Sequence, residues 1–156
     1  MSKKIEVLIY EIALRVRLFM ASGAGGEKIA NLTDRESLLL ELIGMRENMS
    51  ISEIAKLCPM VSSSTISTTI TRLWKDKKLV EKRILPENQR ITVVRLTKNG
   101  RRLLAEIKKT QSVAFKAVAE SLGLSPEQNE YFKLFIENGI MYFDKNLGLQ
   151  INIQMA

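Results

Sequence analysis

The chain has 156 residues, about one domain by length, and 46% of them are apolar, enough for a buried core without a disulfide or a metal. It has no histidine and one cysteine, Cys58. That excludes histidine acid–base chemistry, Ser/His/Asp and Cys/His pairs, and every histidine- or multi-cysteine-ligated metal site within a single chain.

The net charge of +7 is concentrated in one segment: Arg72 to Lys109 holds 13 Lys/Arg against 4 Asp/Glu, so the remaining residues are mildly acidic. A field placed this way suits a polyanion-binding face, because each neutralised phosphate releases condensed counterions. A solvated basic surface is the alternative that charge alone leaves open.

At the N-terminus Lys3 and Lys4 precede a largely apolar stretch, but Glu6, Glu11, Arg15 and Arg17 interrupt it. No apolar run is long enough for a signal core or a membrane span, and a lone cysteine fits a reducing compartment; the expectation is a cytoplasmic protein without membrane association. Ile5, Leu8, Ile12, Val16 and Phe19 recur at helical spacing and predict an amphipathic helix over 4–20, whose apolar stripe needs a partner within the monomer or on another chain. Residues 21–32 contain Gly23, Gly25 and Gly26 with no preceding strand, so they read as a linker and not as a phosphate-binding loop.

Thr33 with Glu36 makes a capping box opening a helix through Leu38, Leu39, Leu42 and Met45. Ser50 with Glu53 makes a second one, opening a short helix over Ile51, Ile54, Ala55 and Leu57. After Cys58 and Pro59, the apolar residues Ile66, Ile70, Leu73 and Trp74 are assigned to one helical face, with Ser64, Thr68, Thr71, Arg72 and Lys75 opposite. Seven Ser/Thr between Ser62 and Thr69 are poor helix formers, each costing up to about half a kcal/mol relative to alanine. The apolar spacing still argues against a strand. Packing of the apolar stripe must offset that cost, and the polar face of short hydroxyls can then approach a nucleic-acid edge closely.

Leu79–Arg83 and Ile91–Leu96 read as two strands joined by the polar loop Pro86–Arg90, a hairpin with a basic tip. Thr97 is the expected N-cap of a helix of about twenty residues, and Ser125-Pro126-Glu127-Gln128 caps a last helix. In that helix Tyr131, Leu134, Phe135, Ile136, Ile140, Met141, Tyr142, Phe143 and Leu147 cover more than one narrow stripe, so burial on more than one side is expected. With the first helix, it suggests an interface completed by a second subunit.

The order helix, helix, helix, hairpin, flanked by helices at both ends, resembles the MarR family of winged helix-turn-helix transcription regulators over nearly the whole chain. The resemblance is carried by Leu32-Thr33, Ile54-Ala55-Lys56-Leu57, Ser64-Thr65-Ile66-Ser67 through Thr71-Arg72-Leu73, Leu79-Val80-Glu81-Lys82-Arg83, Pro86 to Arg90, and Arg95-Leu96-Thr97-Lys98-Asn99-Gly100. It implies a mainly α fold with a small β-hairpin wing. Residues 32–100 would form the winged helix-turn-helix domain, and 1–31 with 101–156 a helical dimerisation region.

The implied function is a homodimer on a pseudo-palindromic operator in double-stranded DNA, one recognition helix per major groove, acting as a repressor relieved by a small molecule. One short helix reads only a few base pairs, so a two-fold partner one DNA turn away is also required on physical grounds. The family's wing carries an Asp-x-Arg motif; Arg90 matches its arginine, while Asn88 stands at the aspartate and can bond loop backbone but cannot form a charge-assisted pair. Thr68 occupies a place where many relatives have arginine, and Lys78 one where they turn with glycine, so Lys78 is expected to strain a left-handed backbone.

The expected DNA-binding set is Ser62, Ser63, Ser64, Thr65, Thr68, Arg72 and Lys75 on the helix and Asn88, Gln89 and Arg90 on the wing. Ser64, Thr65 and Thr68 are assigned to base edges or nearby phosphates, with capping or solvation as the alternative, and Ser62 to the helix cap. Arg72 and Lys75 are assigned to phosphates, an internal brace being the alternative for Arg72. Trp74 is expected in the core, and Cys58 as a buried, inert thiol rather than a peroxide sensor. No cofactor is expected beyond a possible phenolic or other anionic effector, for which methionines with Tyr10, Tyr131 and Tyr142 could line a pocket; simple packing is the alternative. An enzyme would need a catalytic constellation that the scattered carboxylates do not form. A winged-helix module for protein–protein contact stays open as a second class.

Overall fold

The computed structural model describes residues 3–22 and 31–149. Most of the linker read over 21–32, including its three glycines, lies outside the described residues. Among those described are six helices and three strands: α1 (Ile5–Ala21), α2 (Asp34–Met45), β1 (Met49–Ser50), α3 (Ile51–Leu57), α4 (Ser63–Lys75), β2 (Val80–Leu85), β3 (Asn88–Leu96), α5 (Lys98–Ser121) and α6 (Pro126–Leu147). The chain divides into two compact units, one from Met1–Asn31 and Ala105–Gly123, the other from Leu32–Leu104 and Leu124–Ala156.

The core of the second unit is built by short helices that start where the sequence caps them. In α2 the Thr33 hydroxyl accepts from the Glu36 amide while the Glu36 carboxylate accepts from the Thr33 amide at 2.8 Å; Ser50 and Glu53 repeat the arrangement at α3. Leu39, Leu40, Leu42 and Ile43 of α2, Ile54 of α3, and Ile66, Ile70 and Leu73 of α4 are buried together with Met49, Val80, Val93, Val94 and Leu96. Leu38 and Met45, expected on the inner face of α2, are exposed instead. Leu40 and Ile43 take those inner positions, because the buried stripe lies about one residue further round the helix.

The sheet runs β1-β3-β2, all antiparallel, with Met49 opposite Val94 and Val80 opposite Leu96. The two-residue β1 has no alternating pattern of its own; β3 supplies its partner. The hairpin differs from the expected loop. Residues Pro86 and Glu87 alone form the turn, and the ladder continues to Ile84 opposite Thr92 before the register shifts, so that Leu85 faces Asn88. Gln89, Arg90 and Ile91 fill that irregularity on the β3 side, which bends the strand and frees the tip from regular pairing.

Thr97 caps α5: its hydroxyl accepts from the Gly100 amide at 3.0 Å and donates to the Lys78 carbonyl at 2.8 Å. Gly100 is buried there, where a Cβ would lie 2.0 Å from the Leu79 carbonyl oxygen, so only glycine lets the helix start approach that backbone. At the other end of this unit, Gly148 with φ 66° terminates α6, Leu149 is buried, and the Gly148 carbonyl accepts from Arg46 at 3.2 Å.

In the first unit α1 runs as expected from its periodicity, and Phe19 meets Phe115 with ring centroids 6.1 Å apart. Neither α1 nor α6 has a single buried residue within the chain. The burial expected for α6 on more than one side is therefore absent from the single chain, whose α6 leaves Tyr131, Phe135, Met141 and Tyr142 exposed.

No helix among the described residues is long and apolar enough to cross a membrane.

Candidate nucleic-acid interface

The recognition-helix candidate α4 starts at Ser62, whose hydroxyl accepts from the Thr65 amide at 3.2 Å, the cap role expected of it. Ser62 also shares hydroxyl bonds with Ser64 at 3.0 Å and Thr65 at 2.7 Å, which gathers three oxygens at one helix end. Ser63 is the first helical residue and is exposed, as are Ser64, Thr68, Arg72 and Lys75; Thr65 is half-buried. The outward face is thus polar and basic while Ile66, Ile70 and Leu73 are fully buried.

How the hydroxyl-rich helix satisfies its side chains was not legible from the sequence. Thr68, Thr69 and Thr71 donate their hydroxyl protons to the carbonyls four residues back, Ser64, Thr65 and Ser67, at 2.9, 2.8 and 2.8 Å. This back-bonding satisfies each hydroxyl without a second chain and slightly weakens the helix. It also sets polarity. With its proton committed, the exposed Thr68 oxygen presents lone pairs outward, which suits an amino group of cytosine or adenine better than a phosphate.

Arg72 forms no internal brace: its guanidinium is exposed and engages no partner among the described residues. Trp74 corrects the core expectation. It is 38% exposed, because each residue turns the helix by about 100° and position 74 falls on the flank next to β2, away from the stripe of Ile66, Ile70 and Leu73. Its ring lies 5.4 Å from the Lys75 ammonium and 5.0 Å from that of Lys82, which in turn reaches the Thr71 hydroxyl at 3.5 Å.

On the wing, Asn88, Gln89 and Arg90 are all exposed. The Asn88 amide oxygen accepts from the Arg90 backbone amide at 3.1 Å, the local bond expected of an amide in that place, so the turn is braced while the Arg90 guanidinium stays unpaired among the described residues. The helix and wing candidates belong to one compact unit: α4 packs on β2, and β2 pairs with β3, which carries Asn88, Gln89 and Arg90.

Behind the wing the charges are neutralised in place. Arg95 hydrogen-bonds Glu81, Arg83 approaches it at 3.3 Å, and together they hold the Glu81 carboxyl below the usual range. Burial pushes Glu36 up, but the Thr33 amide and the Lys77 ammonium at 3.4 Å outweigh it, and the net direction is down. Cys58 ends α3 and is half-buried, rather than fully buried; burial pushes its thiol up, away from the reactive thiolate.

A cavity of about 480 Å³ in the same unit is lined by Ile43, Gly44, Met45, Arg46, Glu47, Arg95, Leu96 and Arg101, three arginines against one carboxylate. Met45 is the one methionine in its lining, and Tyr10, Tyr131 and Tyr142 are exposed elsewhere. No cluster of three or more metal-ligating side chains occurs among the described residues.

Residues 32–100 match the family described as a winged helix DNA-binding domain. The fold of the chain is similar to that of MarR (20% identity, 94% of this chain and 95% of that one, TM-score 0.66). It is likewise similar to Streptococcus pneumoniae FabT in complex with DNA (18% identity, 90% and 96%, TM-score 0.64). A third match is a mutant of MepR from a multidrug-resistant S. aureus clinical isolate (17% identity, 92% and 99%, TM-score 0.67). No curated protein matches the chain. The fold class and the resemblance read from the sequence are borne out by these similarities.

Proposed function

We propose, from the premise that this chain is a winged helix protein of the MarR fold, that it is a homodimeric, cytoplasmic transcription regulator binding a pseudo-palindromic operator. The observation that carries the reading is the exposed hydroxyl and basic face of α4 together with an exposed Arg90 on the wing, the helix running into the most basic stretch of the chain and the wing lying within it. A relative of the same fold is seen in complex with DNA, which supports the same use here. Ser64, Thr65 and Thr68 then address base edges, Arg72 and Lys75 the phosphates, and Arg90 the adjacent minor groove.

The second copy is supported by α1 and α6, apolar helices with no buried residue in the single chain. Repression relieved by a small anion is the regulatory part of the proposal. The arginine-lined cavity is of the size of small-molecule sites, and a ligand preferring a dimer with mismatched recognition helices would release DNA by that differential affinity.

Selection of bound fragments from genomic DNA followed by footprinting tests the reading; protection of two half-sites about one helical turn apart is the expected result. Arg90→Ala should weaken operator binding by about 1–3 kcal/mol if it enters the minor groove, and lower the salt slope by about one if it meets only phosphate. Absence of salt-dependent affinity for any duplex would favour a protein-contact module instead. Phenolic acids titrated into the operator complex without dissociation, and silent in calorimetry, would remove the effector while leaving DNA binding intact.

A further inference from the structure

We propose that Trp74, Lys75 and Lys82 form a clamp for one sugar-phosphate strand of duplex DNA, seated in the seam between α4 and the wing. The inference rests on the reading that α4 enters a major groove and the hairpin tip the neighbouring minor groove. Adjacent grooves of a duplex are separated by one backbone strand, so a protein that occupies both must pass that strand across the seam joining its two reading elements.

The seam is built for such a strand. Its helix side carries Thr71 and Trp74 and its sheet side Lys82, which meets the Thr71 hydroxyl at 3.5 Å and lies 5.0 Å from the centre of the indole ring. Lys75 approaches the same ring at 5.4 Å. Neither ammonium pairs with a carboxylate among the described residues; Glu81, next to Lys82, is engaged by Arg83 and Arg95, and Asp76, next to Lys75, joins neither lysine. The Thr71 proton is committed to the Ser67 carbonyl, so its oxygen can only hold the Lys82 head, not compete with it as a donor.

What remains on offer is donors alone: two ammonium groups and an indole N–H on a ring 38% exposed beside a core it could have joined. Long lysine chains are normally disordered in solution, but contact with one indole ring restrains both heads in advance of binding. Such a site reads backbone, not sequence, and fixes the register in which Ser64, Thr68 and Arg90 meet their own targets.

Because Trp74 is the only tryptophan, its emission reports this seam directly. The full chain is titrated with a labelled random-sequence duplex, reading Trp74 emission and duplex anisotropy together over a series of salt concentrations. The expected result is a saturating change in Trp74 emission with the anisotropy midpoint. Lys82→Gln should lower the salt slope by about 0.9, about eight-fold in affinity at 0.1 M salt and alike on every sequence, whereas Lys116→Gln on the exposed face of α5 should cause a smaller change in slope. Trp74→Phe, which keeps a ring but removes the N–H, should weaken binding without lowering the melting temperature. Duplex binding with unchanged Trp74 emission, and with Lys82→Gln no different from Lys116→Gln, would overturn the clamp and leave the proposed DNA-binding function standing. No duplex binding by anisotropy at any salt would overturn both.

Discussion

Lys78 is the only non-glycine residue with positive φ among those described, at 55°. The left-handed conformation crowds its Cβ against the next carbonyl at a cost of about 1–2 kcal/mol, part of which glycine would return as lost chain entropy. Lys78→Gly is therefore expected to stabilise the fold by about 0.5–1 kcal/mol in denaturant unfolding, since the Thr97 bond goes to its backbone carbonyl and survives. Glu36 acts through pH. Its carboxyl lies below the usual range in the folded chain, so the unfolded chain binds a proton first as acid is added. The stabilisation is present above about pH 4.5 and is lost as pH falls through the folded value. Glu36→Gln keeps a capping acceptor but not the Lys77 pairing, so the mutant should be the less stable at pH 7 and approach wild type as pH falls below about 4.5 and through the folded value. A stability difference independent of pH would contradict this account.

The start of α5 depends on a close approach that no side chain tolerates. A methyl group at Gly100 would sit 2.0 Å from the Leu79 carbonyl oxygen, the acceptor of the Thr97 amide, whereas one at Gly44 would meet the movable end of Leu104 at 2.2 Å. Gly100→Ala should accordingly cost at least about 2 kcal/mol, and Gly44→Ala less, by thermal or denaturant melting. Equal losses would mean that the α5 start shifts freely. In α4 burial of Ile66, Ile70 and Leu73 holds a sequence of poor helix formers helical, and it also offsets the small cost of the bonds from the Thr68, Thr69 and Thr71 hydroxyls to the carbonyls four residues back.

Across the molecule, two helices at the chain ends carry apolar side chains that the chain itself does not bury. If a second copy covers them, sedimentation should give twice the 17.7 kDa chain mass, and the melting temperature should rise with protein concentration. Ile140→Asp, placing a charge on the exposed apolar face of α6, should yield monomers and weaken operator binding by at least tenfold, about 1.4 kcal/mol. A monomeric wild-type chain with full operator affinity would refute the dimer.

What could be read from the amino-acid order alone is what nearest neighbours decide. Thr33 with Glu36, Ser50 with Glu53, Ser62, Thr97 and Ser125 all cap helices as their local chemistry dictates, and the apolar period of α4 outweighed its hydroxyls because one stripe must be buried. The exposed Asn88 to Arg90 tip, and its amide brace, followed from the same short-range rules. Contacts between distant segments were not legible. The β1 pairing with β3, the register shift that narrows the wing turn to Pro86 and Glu87, and the outward turn of Trp74 onto Lys82 depend on which strand or helix lies alongside. Local propensity carries no information about that neighbour, whereas packing against it selects register and side-chain direction.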